Sequence, residues 1–148
     1  MKIYIGADHN GFAMKAELIN YLKDMGYDVV DEGNKTIDPD DDFPRFAGKV
    51  VGRVLTSQDP EPRGILICGS GQGVCMAANR FKGIRASIVW DLYEARASRN
   101  DDDSNVLCLP ARVLKSKQAN ALVRTWLLTP FAEAPRFKRR ITEMDQLT

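Results

Sequence analysis

The chain has 148 residues, of which 44% are hydrophobic and 28% charged, and its formal net charge is +1. This length suits a single domain covering residues 1–148, and the composition argues against a disordered or collagen-like chain. The near balance of charges gives no reason to expect nucleic acid or an anionic membrane as a partner. No stretch approaches the ~20 apolar residues of a membrane span, and the N-terminal apolar run is too short for a secretory signal. We therefore expect a cytoplasmic protein.

Short apolar segments alternate along the chain with segments of helical periodicity. Strands are predicted at 2–7, 27–31, 64–68, 84–90 and 105–109. Helices are predicted at 11–26, 44–57, about 74–80, 91–99, 116–128 and about 136–147. This alternation indicates an α/β protein whose five-stranded parallel sheet is covered by helices on both faces. Ligands of such sheets bind at the carboxyl ends of the strands.

The cysteine and histidine content limits the possible chemistry. The three cysteines, Cys68, Cys75 and Cys108, are odd in number and lack CxxC spacing, so neither a disulfide framework nor a zinc site is indicated. Cys75 and Cys108 lie in apolar stretches and are expected to be packing residues. His9 is the only histidine, which excludes a two-histidine metal site and leaves one candidate base for a Ser-His-Asp triad. We expect no metal.

The strongest local motif is ICGSGQG at residues 67–73, where a buried strand runs into three glycines and then a helix. Glycines let the backbone approach a ligand, and a helix N-terminus offers free N–H groups to an anion. The motif is not a P-loop, because no GK[ST] follows. It is not the GxGxxG dinucleotide fingerprint either, because its third glycine comes one residue early. A tight strand-to-helix turn without a ligand explains the same residues equally well.

Three polar segments lie next to predicted strands. Cys68 ends the third strand, where a helix N-terminus can stabilise a thiolate acting as base or nucleophile; a buried packing role is the alternative. Asp8 and His9 follow the first strand as candidate site residues; a helix N-cap made by Asp8 or Asn10 is the alternative. The acidic run at 101–103 precedes the fifth strand. We expect all three segments at the carboxyl edge of the sheet.

Other charged clusters have simpler interpretations. Arg136 and Arg140 have i,i+4 spacing and point to one side of the last predicted helix, where a solvated basic face would explain them. The run at 101–103 alone is weak evidence for a cation site, because hard-cation sites draw ligands from several segments. The loop at 38–42, which contains four aspartates, is expected to be solvated.

Four motifs in combination resemble a known family. They are GADHNGF at 6–12, ICGSGQG at 67–73, SNVLCLPARV at 104–113 and the arginine pair at 136 and 140. Together they resemble the family of type B ribose-5-phosphate isomerases and galactose-6-phosphate isomerases, from residue 2 to about residue 141. The resemblance implies a three-layer Rossmann-like fold that forms a homodimer or a tetramer, with active sites at the subunit interface. It also implies interconversion of aldose and ketose phosphates through a cis-enediolate, without metal or organic cofactor.

The resemblance also implies catalytic roles for residues of this chain. Cys68 corresponds to the base that moves a proton between C1 and C2. Ser70 corresponds to a residue that handles protons on the substrate oxygens. The resemblance implies that an anion hole for the enediolate is formed by backbone N–H groups of Gly69, Gly71, Gln72 and Gly73.

Substrate binding is implied in the same way for a second set of residues. Asp8 corresponds to a contact with the sugar hydroxyls or the ring oxygen. The resemblance assigns binding of the phosphate group to His9, Arg112, Arg136 and Arg140. The arginine pair would come from the partner subunit, which the C-terminal helix contacts. Several cations suit a phosphate dianion, and arginine offers forked donors.

Three positions depart from the family pattern. Members that act on ribose 5-phosphate usually carry His-Asn where this chain has Asp101 and Asp102, and that histidine is thought to open the furanose ring. Asp101 could instead act as a base toward the anomeric hydroxyl, and Asp102 stands where the asparagine contacts substrate. Phe43 stands where tyrosine is common. The leading expectation is an isomerase of the ribose 5-phosphate type. An isomerase of another sugar phosphate, such as a hexose 6-phosphate, and a non-catalytic phosphosugar-binding relative remain open.

Overall fold

A computed structural model of the protein describes residues 1–147. The strands are β1 (Lys2–Ala7), β2 (Asp28–Asp31), β3 (Arg63–Cys68), β4 (Ala86–Ile88) and β5 (Val106–Pro110). The helices are α1 (Phe12–Asp24), α2 (Phe43–Thr56), α3 (Gln72–Ala78), α4 (Leu92–Asn100), α5 (Ser116–Leu128) and α6 (Pro135–Asp145). The predicted order of elements is confirmed, and only their ends differ, by one to two residues. Within the described residues, no helix is long and apolar enough to cross a membrane.

The five strands form one parallel sheet in the order β2-β1-β3-β5-β4. Its alternate residues face two apolar clusters. Ile65 and Ile67 pack with α1 and α5 on one face, whereas Leu66 and Cys68 pack with α2 and α3 on the other. Burial on both faces explains why β3 is a continuous apolar run rather than an alternating one. The expected three-layer α/β architecture is confirmed.

The sheet has a crevice at its carboxyl edge, between the neighbouring strands β1 and β3. The chain leaves β1 toward α1 on one face and leaves β3 toward α3 on the opposite face. Such a divergence opens a crevice outside the carboxyl ends of the two strands. On the other side of β3, Cys68 lies opposite Pro110 of β5. The segments that follow β1, β3 and β5 therefore meet at this edge.

The acidic run at 101–103 lies at the opposite edge. It follows α4 and leads into Val106, the first residue of β5, so it belongs to the amino ends of the strands. The expectation that it shares the carboxyl edge is wrong, because a segment that precedes a parallel strand lies at that strand's start. From Val106 to Pro110 the strand rises roughly 13 Å, at about 3.3 Å per residue. This separation determines which residues one chain can bring together.

Candidate functional site

Cys68 ends β3 with its side chain against the α2 and α3 layer, and the residue is only 5% exposed. The N–H of Gly71 donates a hydrogen bond to Cys68 Sγ over 3.2 Å. Gly71 has a φ of +75° and is the N-cap of α3, and a Cβ there would stand 2.8 Å from Cδ1 of Ile88. Glycine alone adopts this turn without strain. The turn therefore aims a backbone donor at the sulfur, where it can stabilise a thiolate.

The rest of the glycine loop is open on its outer side. Ser70 and Gln72 are exposed, and Ser70 Oγ accepts a hydrogen bond from the N–H of Gln72 over 3.3 Å. The ring of Phe43 packs over Gly73, where a Cβ would stand 2.7 Å from Phe43 Cζ. The Phe43 ring thus packs against one side of the glycine loop, and Ser70 and Gln72 expose their polar groups to solvent.

Asp8 organises the turn between β1 and α1. The residue is 6% exposed, and its Oδ1 accepts hydrogen bonds from the N–H groups of Asn10 and Gly11, over 2.9 and 3.3 Å. The N-cap position itself is Gly11, where a Cβ would stand 2.6 Å from Cγ2 of Ile67. The expectation that Asp8 or Asn10 is the N-cap is therefore wrong, and Asp8 instead braces the turn that precedes the helix. That turn packs directly on the end of β3.

His9 is fixed by a carboxylate from the loop that follows β2. Its backbone N–H donates to Asp41 Oδ1 over 2.9 Å, and its ring Nδ1 lies 2.8 Å from the same oxygen. The hydrogen bond to Asp41 raises the pKa of His9, and the Asp8 carboxylate adds to this effect. Because an ionised carboxylate only accepts, Nδ1 carries a proton. The other ring nitrogen, Nε2, has the side-chain amide of Asn10 as its neighbour.

Asp41 is a site residue that the sequence pattern does not reveal, since the charge of the loop at 38–42 predicts a solvated segment. That expectation is wrong for this residue, because its side chain is only 2% exposed. Its other oxygen, Oδ2, accepts a hydrogen bond from Asn34 Nδ2 over 3.2 Å. The pairing of β2 with β1 brings the two following loops to the same edge, and strand order was the missing information.

Arg112 connects the histidine to the glycine loop. Its Nη2 donates to Asn10 Oδ1 over 3.1 Å, and Asn10 Nδ2 lies 3.2 Å from His9 Nε2. Its backbone N–H donates to the Gly69 carbonyl over 2.9 Å, and a Cβ on Gly69 would stand 3.1 Å from its guanidinium carbon. The crevice thus holds a guanidinium, an imidazole that protonates readily and a loop of N–H groups, which together suit an oxyanion.

A second group of predicted site residues lies at the amino edge. Asp101 follows α4 as its C-cap and accepts a hydrogen bond from Asn100 Nδ2 over 2.7 Å. Burial, and then repulsion from the Asp101 carboxylate, raise the pKa of Asp102, whereas Arg140 and Arg85 act in the opposite direction. Arg140 therefore lies close enough to the Asp101–Asp102 pair to influence the pKa of Asp102.

Arg136 and Arg140 of α6 are exposed, and neither forms a salt bridge within the described residues, whereas Arg139 of the same helix pairs with Glu143. The guanidinium of Arg136 lies 4.3 Å from the centre of the Phe137 ring. Phe137 is buried, so it anchors α6 while Arg136 and Arg140 keep their donors available. The segment before α6 is tied to the end of α4 by the Ala132 N–H, which donates to the Asn100 carbonyl over 3.0 Å.

Asp103 holds the acidic run in position. It has a φ of +47° and forms salt bridges with Arg85 over 2.9 Å and with Arg99 over 2.6 Å. Arg85 Nε also donates to the Asp102 carbonyl over 3.1 Å. The two salt bridges of Asp103 thus fix the conformation of the acidic run.

The structure divides the predicted site residues into two sets. One set lies around the crevice and comprises Asp8, His9, Cys68, Gly69, Ser70, Gly71, Gln72, Gly73 and Arg112. The other lies toward the amino edge and comprises Asp101, Asp102, Arg136 and Arg140. Among residues 1–147, no hydrogen bond or salt bridge joins the two sets, and no cluster of three or more His, Cys, Asp or Glu side chains could hold a metal ion.

Comparison with known proteins determines the family. A sequence model of the Ribose/Galactose Isomerase family matches residues 3–144. The chain belongs to this family. Ribose-5-phosphate isomerase B of Escherichia coli is 37% identical over 140 residues, which cover 95% of this chain and 91% of that protein. The probable ribose-5-phosphate isomerase B of Mycoplasma pneumoniae is 40% identical over 139 residues, covering 94% of this chain and 90% of that protein.

Solved structures of the family agree with the fold. The crystal structure of ribose-5-phosphate isomerase B from Mycoplasma genitalium with bound ribulose-5-phosphate superposes with a TM-score of 0.93 and 38% identity, covering 98% of this chain and 94% of that one. The crystal structure of ribose 5-phosphate isomerase from Thermotoga maritima also superposes with a TM-score of 0.93 and 38% identity, covering 99% of this chain and 98% of that one. The resemblance inferred from the four motifs is confirmed, and this chain is an isomerase.

Proposed function

We propose that this isomerase interconverts an aldose phosphate and its ketose, of the ribose 5-phosphate and ribulose 5-phosphate type, with Cys68 as the base. The observation that carries the mechanism is the Gly71 N–H directed at Cys68 Sγ over 3.2 Å. The binding of ribulose-5-phosphate by the Mycoplasma genitalium relative supports the choice of substrate. The three free cysteines also fit a cytoplasmic enzyme, since thiols persist in reducing compartments.

In the forward direction, the Cys68 thiolate removes the proton from C2 of the open-chain aldose. The C2–H electron pair forms the C1–C2 double bond, and the carbonyl π electrons move to O1. Backbone N–H groups of residues 69–73 stabilise the negative charge on that oxygen, and Ser70 transfers a proton between O2 and O1. The thiol then returns its proton to C1, which completes the ketose and regenerates the thiolate.

Phosphate binding by two copies of the chain explains the two separated sets of residues. His9 and Arg112 lie at the crevice, but the arginines of α6 lie toward the other edge of the same subunit. A homodimer in which Arg136 and Arg140 of one copy reach the crevice of the other would give the phosphate four cationic contacts. The absence of salt bridges from both arginines within residues 1–147 supports this arrangement.

A hexose 6-phosphate is the second candidate substrate, and it is favoured by Asp101 and Asp102. Where the ribose-specific pattern has a ring-opening histidine, this chain offers two carboxyl groups, of which Asp102 has a raised pKa. A carboxylate beside a sugar accepts hydrogen bonds from hydroxyl groups that an imidazole and an amide would contact differently. The ring form of the preferred sugar is therefore expected to depend on this pair.

The decisive experiment is an isomerisation assay across pentose and hexose phosphates, run in D₂O with NMR detection at C1 and C2. We expect one pentose phosphate pair to be turned over with solvent deuterium entering the C2 position of the aldose. Turnover of hexose 6-phosphates alone would select the second candidate. Binding of a phosphosugar without isomerisation or exchange would reject both and leave a non-catalytic phosphosugar-binding protein.

A further inference from the structure

A cavity of about 500 Å³ lies at the amino edge of the sheet, away from the crevice. The start of β3, the end of α4 and the segment after α5 form its walls. Arg63 and Arg99 line it together with the N-terminal residue Met1. Arg99 also pairs with Asp103, which holds the acidic run in position, but neither arginine is among the residues assigned to the proposed reaction. The cavity thus brings together two arginines that have no role in the proposed isomerase chemistry.

Arg63 is buried, and no carboxylate within residues 1–147 forms a salt bridge with it. The residue is 9% exposed, its Nε has no hydrogen-bond partner, and its Nη1 donates only to the Pro62 carbonyl over 3.1 Å. A buried charge normally has an ionic partner, because removing it from water is costly. Burial, and then the neighbouring Arg99, lower the pKa of Arg63, and the nearby carboxylates of Glu61 and Asp103 do not offset them.

Arg99 adds a second positive charge to the cavity. It is 5% exposed, and its Nη1 donates to Asp103 over 2.6 Å and to the Ser104 carbonyl over 2.7 Å. Asp103 is already shared with Arg85, so it cannot neutralise both cavity arginines. The other acidic groups on the walls do not fill this role: Glu133 pairs with Lys138 over 2.9 Å, and Glu61 forms no salt bridge in the described chain.

We propose that this cavity is a second anion site, in which Arg63 and Arg99 bind inorganic phosphate or the phosphate group of a small ester. A guanidinium offers parallel N–H donors that match the oxygens of phosphate, and such charge-assisted pairs are the strong ones. The cavity volume exceeds that of a phosphate ion, which leaves room for an attached group beside Leu127 and Phe131. An anion here would supply the partner that Arg63 lacks.

Calorimetric titration with inorganic phosphate tests the proposal. The background carries Arg112→Ala and Arg140→Ala, which remove two cations from the crevice site while leaving the cavity unchanged. We expect saturable binding of one phosphate per chain in this background. Adding Arg63→Met should weaken it by about tenfold or more, as loss of a charged hydrogen bond does. Adding Arg63→Lys, which keeps the charge but loses the fork, should give an intermediate affinity.

A pair of surface variants keeps the test decisive if Arg63→Met does not fold. Leu128 lines the cavity and is 59% exposed, so substitutions there are compatible with the fold. In the same background, Leu128→Glu should weaken phosphate binding, because its carboxylate competes for the arginines, whereas Leu128→Gln should not. Equal affinity in these two variants, unchanged affinity in Arg63→Met, or no saturable binding in the background protein overturns the proposal. The last result is expected if a carboxylate from another subunit already pairs with Arg63.

Discussion

The Asp41 carboxylate accepts both the backbone N–H and the ring Nδ1–H of His9 on one oxygen, over 2.9 and 2.8 Å. The two residues are 32 positions apart in sequence and meet because β2 lies beside β1. A buried carboxylate that is hydrogen-bonded to an imidazole favours the imidazolium form. His9 is therefore held in one orientation, and the raised pKa of its ring suits the phosphate binding proposed for it.

The first prediction concerns the protonation of His9. Replacing Asp41 by Asn removes the ionised acceptor, so the pKa of His9 should fall toward its unperturbed value of about 6.5. His9 is the only histidine, so its ring resonances in an NMR pH titration report this pKa without overlap. Asp40→Asn, in the exposed part of the same loop, is the matched control and should leave the titration unchanged. Identical His9 titration curves in the wild-type and Asp41→Asn proteins would contradict the assigned role.

The His9–Asp41 pair also makes the free energy of unfolding depend on pH, in a direction that follows from the raised pKa of His9. A group whose pKa is higher in the folded than in the unfolded state stabilises the folded protein. The full stabilisation is present at pH values below the pKa of the group in the unfolded chain. That contribution is lost as pH rises through the folded value. The difference in denaturation midpoint between wild type and Asp41→Asn should therefore be larger at pH 5.5 than at pH 8.5.

The second prediction concerns Cys68. Cys68→Ala should lower kcat by about 10²- to 10⁴-fold, the range typical for loss of a general base, while a ketose phosphate still binds. Cys75→Ala is the control, because the Cys75 thiol donates to the Ala86 carbonyl over 3.4 Å and takes no part in the proposed reaction. Measured kcat and the dissociation constant for ribulose 5-phosphate separate chemistry from binding. A wild-type rate in Cys68→Ala would falsify the proposed mechanism.

The elements of the fold could be predicted locally, but the relations between elements could not. Apolar runs such as ILIC at 65–68 and the stop at Gly26 are encoded in neighbouring residues, so strands and helices were found within a few positions. The burial of Asp41 depends on which strands pair, and local charge wrongly indicated solvent. The edge at which residues 101–103 lie depends on strand direction, which the parallel arrangement fixes. Arg63 was not singled out, because its missing partner is visible only in three dimensions.

The third prediction tests whether two chains build one phosphate site. Arg140→Ala should mainly raise KM, because a contact remote from the reacting carbons contributes chiefly to substrate binding. A Cys68→Ala chain and an Arg136→Ala/Arg140→Ala chain should both be nearly inactive as homodimers. In a heterodimer purified with two different tags, one crevice retains Cys68 and receives both arginines from the other chain. Activity near half that of wild type is expected, and an inactive heterodimer would show that each chain completes its own site.

The last prediction concerns Asp101 and Asp102. An imidazole accepts or donates a proton near pH 7, whereas an aspartate with an ordinary pKa of about 3.9 is ionised there and is a poor acid. Burial, and then the adjacent Asp101 carboxylate, raise the pKa of Asp102 above its ordinary value. Base catalysis at the anomeric hydroxyl remains available, but proton donation to the ring oxygen is weakened. We therefore expect kcat/KM for ribose 5-phosphate, a furanose, to be low compared with that for open-chain ribulose 5-phosphate.

The double variant Asp101→His/Asp102→Asn should raise kcat/KM for ribose 5-phosphate about tenfold or more, with a smaller change for ribulose 5-phosphate. Asp103→Asn is unsuitable as a control, because Asp103 anchors the loop through Arg85 and Arg99. Asp91→Asn, at the start of α4, is a better match, since that residue caps the helix far from the acidic run and asparagine caps equally well. Rapid turnover of ribose 5-phosphate by the wild type, unchanged in the double variant, would mean that ring opening is independent of these carboxylates. Asp8, which lies at the crevice itself, would then be the next side chain to test.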